Sequence, residues 1–158
     1  MKKRKHTSQP FLRFLFLLYC AVMLWLLFGR SSGWMEGLTY REMLGQNINI
    51  APFFTIRNYL HVVFHHSNEA LVTHCVINLL GNVLLFIPAG WLLPKLWKKQ
   101  RNFIVFLLTC TLSIFLVEIL QLFTLLGSFD VDDLILNLFG MTLGFVGFYF
   151  MSLFRKKR

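Results

Sequence analysis

Long apolar runs alternate with short polar breaks along this chain, and the run lengths set the architecture. Four runs, at about 11–28, 71–93, 103–126 and 134–154, are nearly free of charged residues. At about 1.5 Å of rise per residue, a helix of about 20 residues crosses a hydrocarbon core about 30 Å thick. The pattern predicts an all-α polytopic membrane bundle of four transmembrane helices, read as a single domain over residues 1–158.

The breaks predict where the helices start and stop. Pro88 predicts a kink in the second span and Pro94 its end, because proline lacks the N–H that continues a helix. Gly127 is the expected C-cap of the third span, and Asp130 or Asp132 the expected N-cap of the fourth. The connection 29–69 mixes Arg30, Glu36, Arg41, Glu42, Arg57 and Glu69 with Trp34, Tyr40, Phe53, Phe54 and Tyr59. Asn49-Ile50-Ala51-Pro52 is a turn signal within it. Ile56, Leu60, Val63 and Phe64 then recur near helical spacing, which predicts an interfacial or re-entrant helix near 55–66.

Composition turns these runs into a membrane assignment. The 158 residues are 56% hydrophobic, more than a soluble domain of this size can hide. Charge adds an orientation. The formal net charge is +9, and the basic residues gather at Lys2–Lys5, at Lys95–Arg101 and at Arg155–Arg158, with none between the third and fourth runs. The positive-inside rule then places both termini in the cytoplasm, with the Asp130–Asp133 turn outside. Basic clusters flanking apolar runs suit an anionic membrane face and not nucleic acid. A signal peptide competes for the first run, with Ser31-Ser32-Gly33 as the cleavage region. Phe28-Gly29-Arg30 lacks the small-x-small pattern, so an uncleaved span is preferred. Cys20, Cys75 and Cys110 are an odd number without ligand spacing and read as buried free thiols.

The candidate chemistry lies mainly between Glu118 and Gly147, where every acidic residue of the second half is found. Helical spacing gathers the polar groups onto stripes. His74, Asn78 and Asn82 share one face of the second span, and Glu118 and Gln121 one face of the third. Asp133, Asn137, Gly140, Gly144 and Gly147 share one face of the fourth. Counting the rise inward puts Asn78 roughly 10 Å, Asn82 roughly 16 Å and Glu118 roughly 12 Å below the outer ends of their spans. The stripes therefore predict an outward-opening polar pocket lined by Glu118, Gln121, Asp130, Asp133 and Asn137, held open by Asn78 and Asn82. Gly140, Gly144 and Gly147 would let a neighbouring helix approach closely.

Each feature also has a plainer reading. Glu118 is either a packing lock or a group handling substrate or protons, since an ionisable group in hydrocarbon is costly without a task. The four amides serve as interhelical glue unless a ligand engages them. Three aspartates in four residues could cradle a hard cation, but capping the fourth span explains Asp130 and Asp132 more simply, and no full oxygen shell is visible. His61, His65 and His66 lack the partners a zinc site needs. No metal is therefore assigned. Nor is a cofactor, because the chain has no phosphate-binding glycine loop, nucleophile elbow or HExxH motif.

These residues carry a resemblance. Asn78-x-x-x-Asn82-x-x-x-Phe86-x-Pro88-x-Gly90, then Glu118-x-x-Gln121, then Asp130-x-x-Asp133-x-x-x-Asn137-x-x-Gly140-x-x-x-Gly144 resembles the VanZ-like family. Asn49-Ile50-Ala51-Pro52-Phe53 is similar to the family motif in its first outer loop, and the likeness spans about 47–147. Gly127 lies in the short stretch, Leu126-Gly127-Ser128, where relatives often carry an arginine. The resemblance implies a multi-span plasma-membrane protein, in a family whose founding member is associated with teicoplanin resistance. Two classes of function follow. One is a non-catalytic binding module whose pocket engages a lipid head group, a lipid-linked envelope precursor or a glycopeptide, with Arg41 or Arg57 supplying positive charge. The other is a membrane-embedded enzyme with Glu118 as general acid or base. A scaffold whose polar stripes only specify packing is the plainest alternative. The non-catalytic reading is preferred, and the oligomeric state is left open.

Overall fold

The computed structural model describes residues 9–29 and 37–156. Lys2–Lys5, Arg30, the Ser31-Ser32-Gly33 segment, Trp34, Glu36, Lys157 and Arg158 lie outside the described residues. Among the described residues the chain is all-α apart from one two-residue strand pair. In order it runs α1 (Gln9–Phe28), α2 (Tyr40–Gln46), β1 (Ile48–Asn49), α3 (Phe54–His65), α4 (Glu69–Leu96), a 3-10 turn at Lys98–Arg101, α5 (Phe103–Thr124), β2 (Phe129–Asp130) and α6 (Val131–Lys156). Four of these helices, α1, α4, α5 and α6, are long and apolar enough to cross a membrane.

Local chemistry sets most helix starts. Asn68 accepts hydrogen bonds from the N–H groups of Ala70 and Leu71 at the head of α4. Asn102 does the same for Ile104 and Val105 at the head of α5. Thr39 and Glu42 form a reciprocal capping box on α2, a short helix not anticipated from the apolar pattern. Its seven residues are too few to show a hydrophobic period.

Two stop signals are overruled. Helix α4 passes through Pro88 and continues past Pro94 to Leu96, rather than ending at Pro94. Each proline removes one hydrogen bond, to the carbonyl four residues earlier, and the rest of the helix carries through. The third span ends on Leu125 and not on Gly127. Leu125 takes the left-handed conformation (φ 56°) that glycine normally supplies. Its side chain is buried, and that burial outweighs a backbone cost of about 1–2 kcal/mol.

The bundle is built on the α4–α6 pair, which share the most extensive packing. Glycine makes the close approach. A Cβ on Gly140 would lie 2.1 Å from the Val83 carbonyl oxygen, and one on Gly144 would lie 2.1 Å from that of Ile87. Gly90 reciprocates from α4, where a Cβ would lie 1.9 Å from the Met141 carbonyl oxygen. A Cβ on Gly147 would meet nothing within 4 Å. Phe106, Cys110 and Ile114 of α5 complete a core with Phe86, Ala89, Met141 and Phe145. Helix α1 leans on α4 and contributes Met23 to that core. Helix α3 has no buried residue and lies against α4. All three cysteines are free, with Cys75 and Cys110 buried.

Candidate functional site

The acidic turn before α6 ties together segments that are distant in sequence. Strands β1 and β2 pair in parallel, Ile48 with Phe129 and Asn49 with Asp130. This brings the Asn49–Phe53 loop against the start of α6. The Asn49 side-chain oxygen accepts the Ala51 N–H, which closes the turn before Pro52. Its amide nitrogen donates to the Asp130 carboxylate at 3.2 Å and to the Thr55 hydroxyl at 2.8 Å. Thr55 in turn donates to Asp130 at 2.6 Å.

The three aspartates have separate tasks. Asp130 caps α6 by accepting the Asp132 N–H at 2.8 Å. Asp132 does not cap its own helix. It accepts the backbone N–H groups of Phe53 and Ile56, at 2.5 and 3.0 Å, and so caps α3 from a distance. Phe53 sits in the left-handed region (φ 64°), which aims its N–H at that carboxylate. Such a conformation costs about 1–3 kcal/mol and persists where the surroundings enforce it. Asp133 turns to α4 and accepts a hydrogen bond from Asn82. Asn82 also donates to Asn78 at 3.4 Å.

Glu118 is buried on α5 and accepts the Asp130 N–H at 3.3 Å. Asn137 is buried one turn below Asp133, and its side-chain oxygen has no hydrogen-bond partner. A buried amide oxygen left bare costs about 1–3 kcal/mol. Glu118, Asp130, Asp133, Asn82, Asn78 and Asn137 therefore gather at the end of the bundle that carries the Asp130–Asp133 turn. Gln121 is directed elsewhere, donating to the Leu27 carbonyl of α1 at 3.0 Å. Arg41 and Arg57 are exposed and are not among the partners of these carboxylates. His74 faces Tyr59 of α3, with ring centroids 6.2 Å apart. His61 and His65 stack on one another.

The aspartates are divided among the Asn49 and Thr55 side chains, the backbone at the head of α3, and Asn82 of α4. Among the described residues, no three His, Cys, Asp or Glu side chains group so as to hold a metal ion. Three members of the network, Asn49, Thr55 and Asp132, are absent from the sequence-derived pocket. Asn49 had a signal, because its loop motif belongs to the resemblance. Asp132 had none, since its partners are backbone groups 79 and 76 residues away.

Comparison with protein families agrees with the motif reading. The family model described as VanZ/LLP1 matches residues 16–154, so the chain belongs to this family. Comparison with curated proteins and with solved structures returns no match.

Proposed function

We propose that this VanZ/LLP1 family protein is a non-catalytic binding module of the bacterial plasma membrane, with the acidic network as its working site. Both termini would be cytoplasmic and the Asp130–Asp133 turn outside, as the basic clusters at Lys2–Lys5, Lys95–Arg101 and Arg155–Arg158 argue. The ligand class is the polar head group of an amphiphile at the outer face: an envelope lipid, a lipid-linked precursor or a teicoplanin-type glycopeptide. Engaging it there would lower the drug's access to its target. The observation that carries this reading is the bare Asn137 oxygen, one turn along α6 from Asp133, at the end of the bundle where Glu118, Asp130 and Asp132 are buried. An unsatisfied buried acceptor at that end is a ready partner for a donor on a ligand, and a packing lock does not require one.

The test is teicoplanin and vancomycin susceptibility in a host expressing the wild type, Glu118→Gln or Asp133→Asn, with membrane abundance measured for each. The expected result is protection against teicoplanin by the wild type, lost in both variants at equal abundance. An abundant wild-type protein that protects against neither drug would remove the resistance role in that host. Protection that survives both substitutions would remove the acidic network as its site.

A further inference from the structure

A second feature lies under α1, away from the acidic network. Helix α1 packs on α4, while its backbone barely approaches α5. Between them is a cavity of about 300 Å³, walled by side chains that include Met23, Leu24, Phe86, Cys110, Ile114 and Val117. Two polar straps frame it. The Tyr19 hydroxyl donates to the Leu85 carbonyl at 2.9 Å, and Gln121 donates to the Leu27 carbonyl at 3.0 Å. At the far end, Phe16 closes against Trp97 edge to face. Hydrogen bonds thus hold α1 in place across a gap that side chains leave unfilled.

The wall selects against water. Thr109 and Ser113 donate to carbonyls of their own helix, Val105 and Thr109 respectively. Tyr19 is committed to Leu85. A buried water needs about three hydrogen-bond partners, and an apolar cavity of about 150 Å³ already stays dry and accepts benzene. This space is twice that size. Leaving it empty would forfeit dispersion contacts along its whole wall.

Position and length select the guest. The lining residues belong to membrane-spanning helices, so the medium at this depth is hydrocarbon. Along α5 the wall runs from Thr109 to Val117, a rise of about 12 Å, and along α1 from Phe16 to Leu27, about 16 Å. The slot thus runs along the bundle through the middle of a core about 30 Å thick, where acyl chains are the surrounding medium. The mouth opens between α1 and α5, where Leu24 and Ser113 are exposed.

We propose that this slot is a binding site for one hydrocarbon chain of a membrane lipid, threaded between α1 and α5. The inference does not depend on what the acidic network binds. It is tested by native mass spectrometry of the full chain, released from detergent after reconstitution with a phosphatidylglycerol carrying a photoreactive acyl chain. One retained lipid per chain is expected, with adducts after irradiation on Cys20, Cys110 and Ser113. Ala89→Phe, which fills the slot from α4, should cut retention at least tenfold, while Leu112→Phe on the exposed face of α5 should leave it unchanged. If Ala89→Phe does not accumulate, Ser113→Phe at the mouth reads the same quantity. Absence of retained lipid, adducts on Leu112 and Leu116 in place of the wall, or wall residues cross-linked to a second copy of the chain would each overturn the proposal.

Discussion

Removing the Asp132 carboxylate should detach the start of α3 without unfolding the bundle. Asp132 has 0% exposure and accepts two α3 N–H groups, from Phe53 and Ile56. Asp132→Ala leaves both donors bare, at about 1–3 kcal/mol each. Fraying into water limits the net loss, because α3 has no buried residue to hold it down. A helix of 12 residues is also marginal by itself. A net loss of about 2–4 kcal/mol in local stability follows. At 1.36 kcal/mol per factor of ten, amides near residues 53–57 should exchange about 30-fold to about a thousandfold faster. Asp132→Asn keeps one acceptor oxygen and should fall between the two. The head of α6 should hold, since Asp130 takes the residue-132 N–H from the backbone whichever side chain stands there. Hydrogen–deuterium exchange on the full chain in lipid nanodiscs reads this directly, with total helicity as the control. Unchanged protection at 53–57 in Asp132→Ala would refute the capping argument.

Gly140→Ala and Gly144→Ala should each force α4 and α6 apart and lower the thermal midpoint in detergent, at a cost of about 1–3 kcal/mol or more. Gly147→Ala meets nothing and should be neutral or slightly stabilising through helix propensity, so an equal loss at all three positions would contradict the close-approach geometry. On α2, hydrogen bonds from the Thr39 side chain and then its backbone hold Glu42 below the usual carboxylate range. The sign follows from that depression: the contribution is complete above the ordinary Glu value and is lost as pH falls through the lowered one. An NMR titration of Glu42 should show the low value in the wild type and its return toward normal in Thr39→Ala, and an unshifted wild-type titration would remove the capping box as its cause.

The legible part of this protein is what run length and composition control. A span must be long, apolar and bounded by polar residues, and each of those properties is local. The four spanning helices and α3 fell within a few residues of their expected ends for that reason. The gathering of Asn82, Glu118, Asp133 and Asn137 at one end was also visible, because helical rise converts position in a run into depth. Local chemistry misled where long-range packing outweighed it. Gly127 offered the cheaper backbone for a helix stop, yet buried Leu125 took the left-handed turn.

Tertiary structure alone decided which partner each polar group would take. Asp130, Asp132 and Asp133 are near neighbours in sequence, but one reaches the Asn49 loop, one the backbone of α3 and one Asn82 of α4. Gln121 shares a helix face with Glu118 and still turns to α1. Successive residues at a helix start point in different directions, and their partners lie 51 to 81 residues away. Spacing along one helix fixes which side chains share a face. The folded arrangement of the other helices fixes what that face meets.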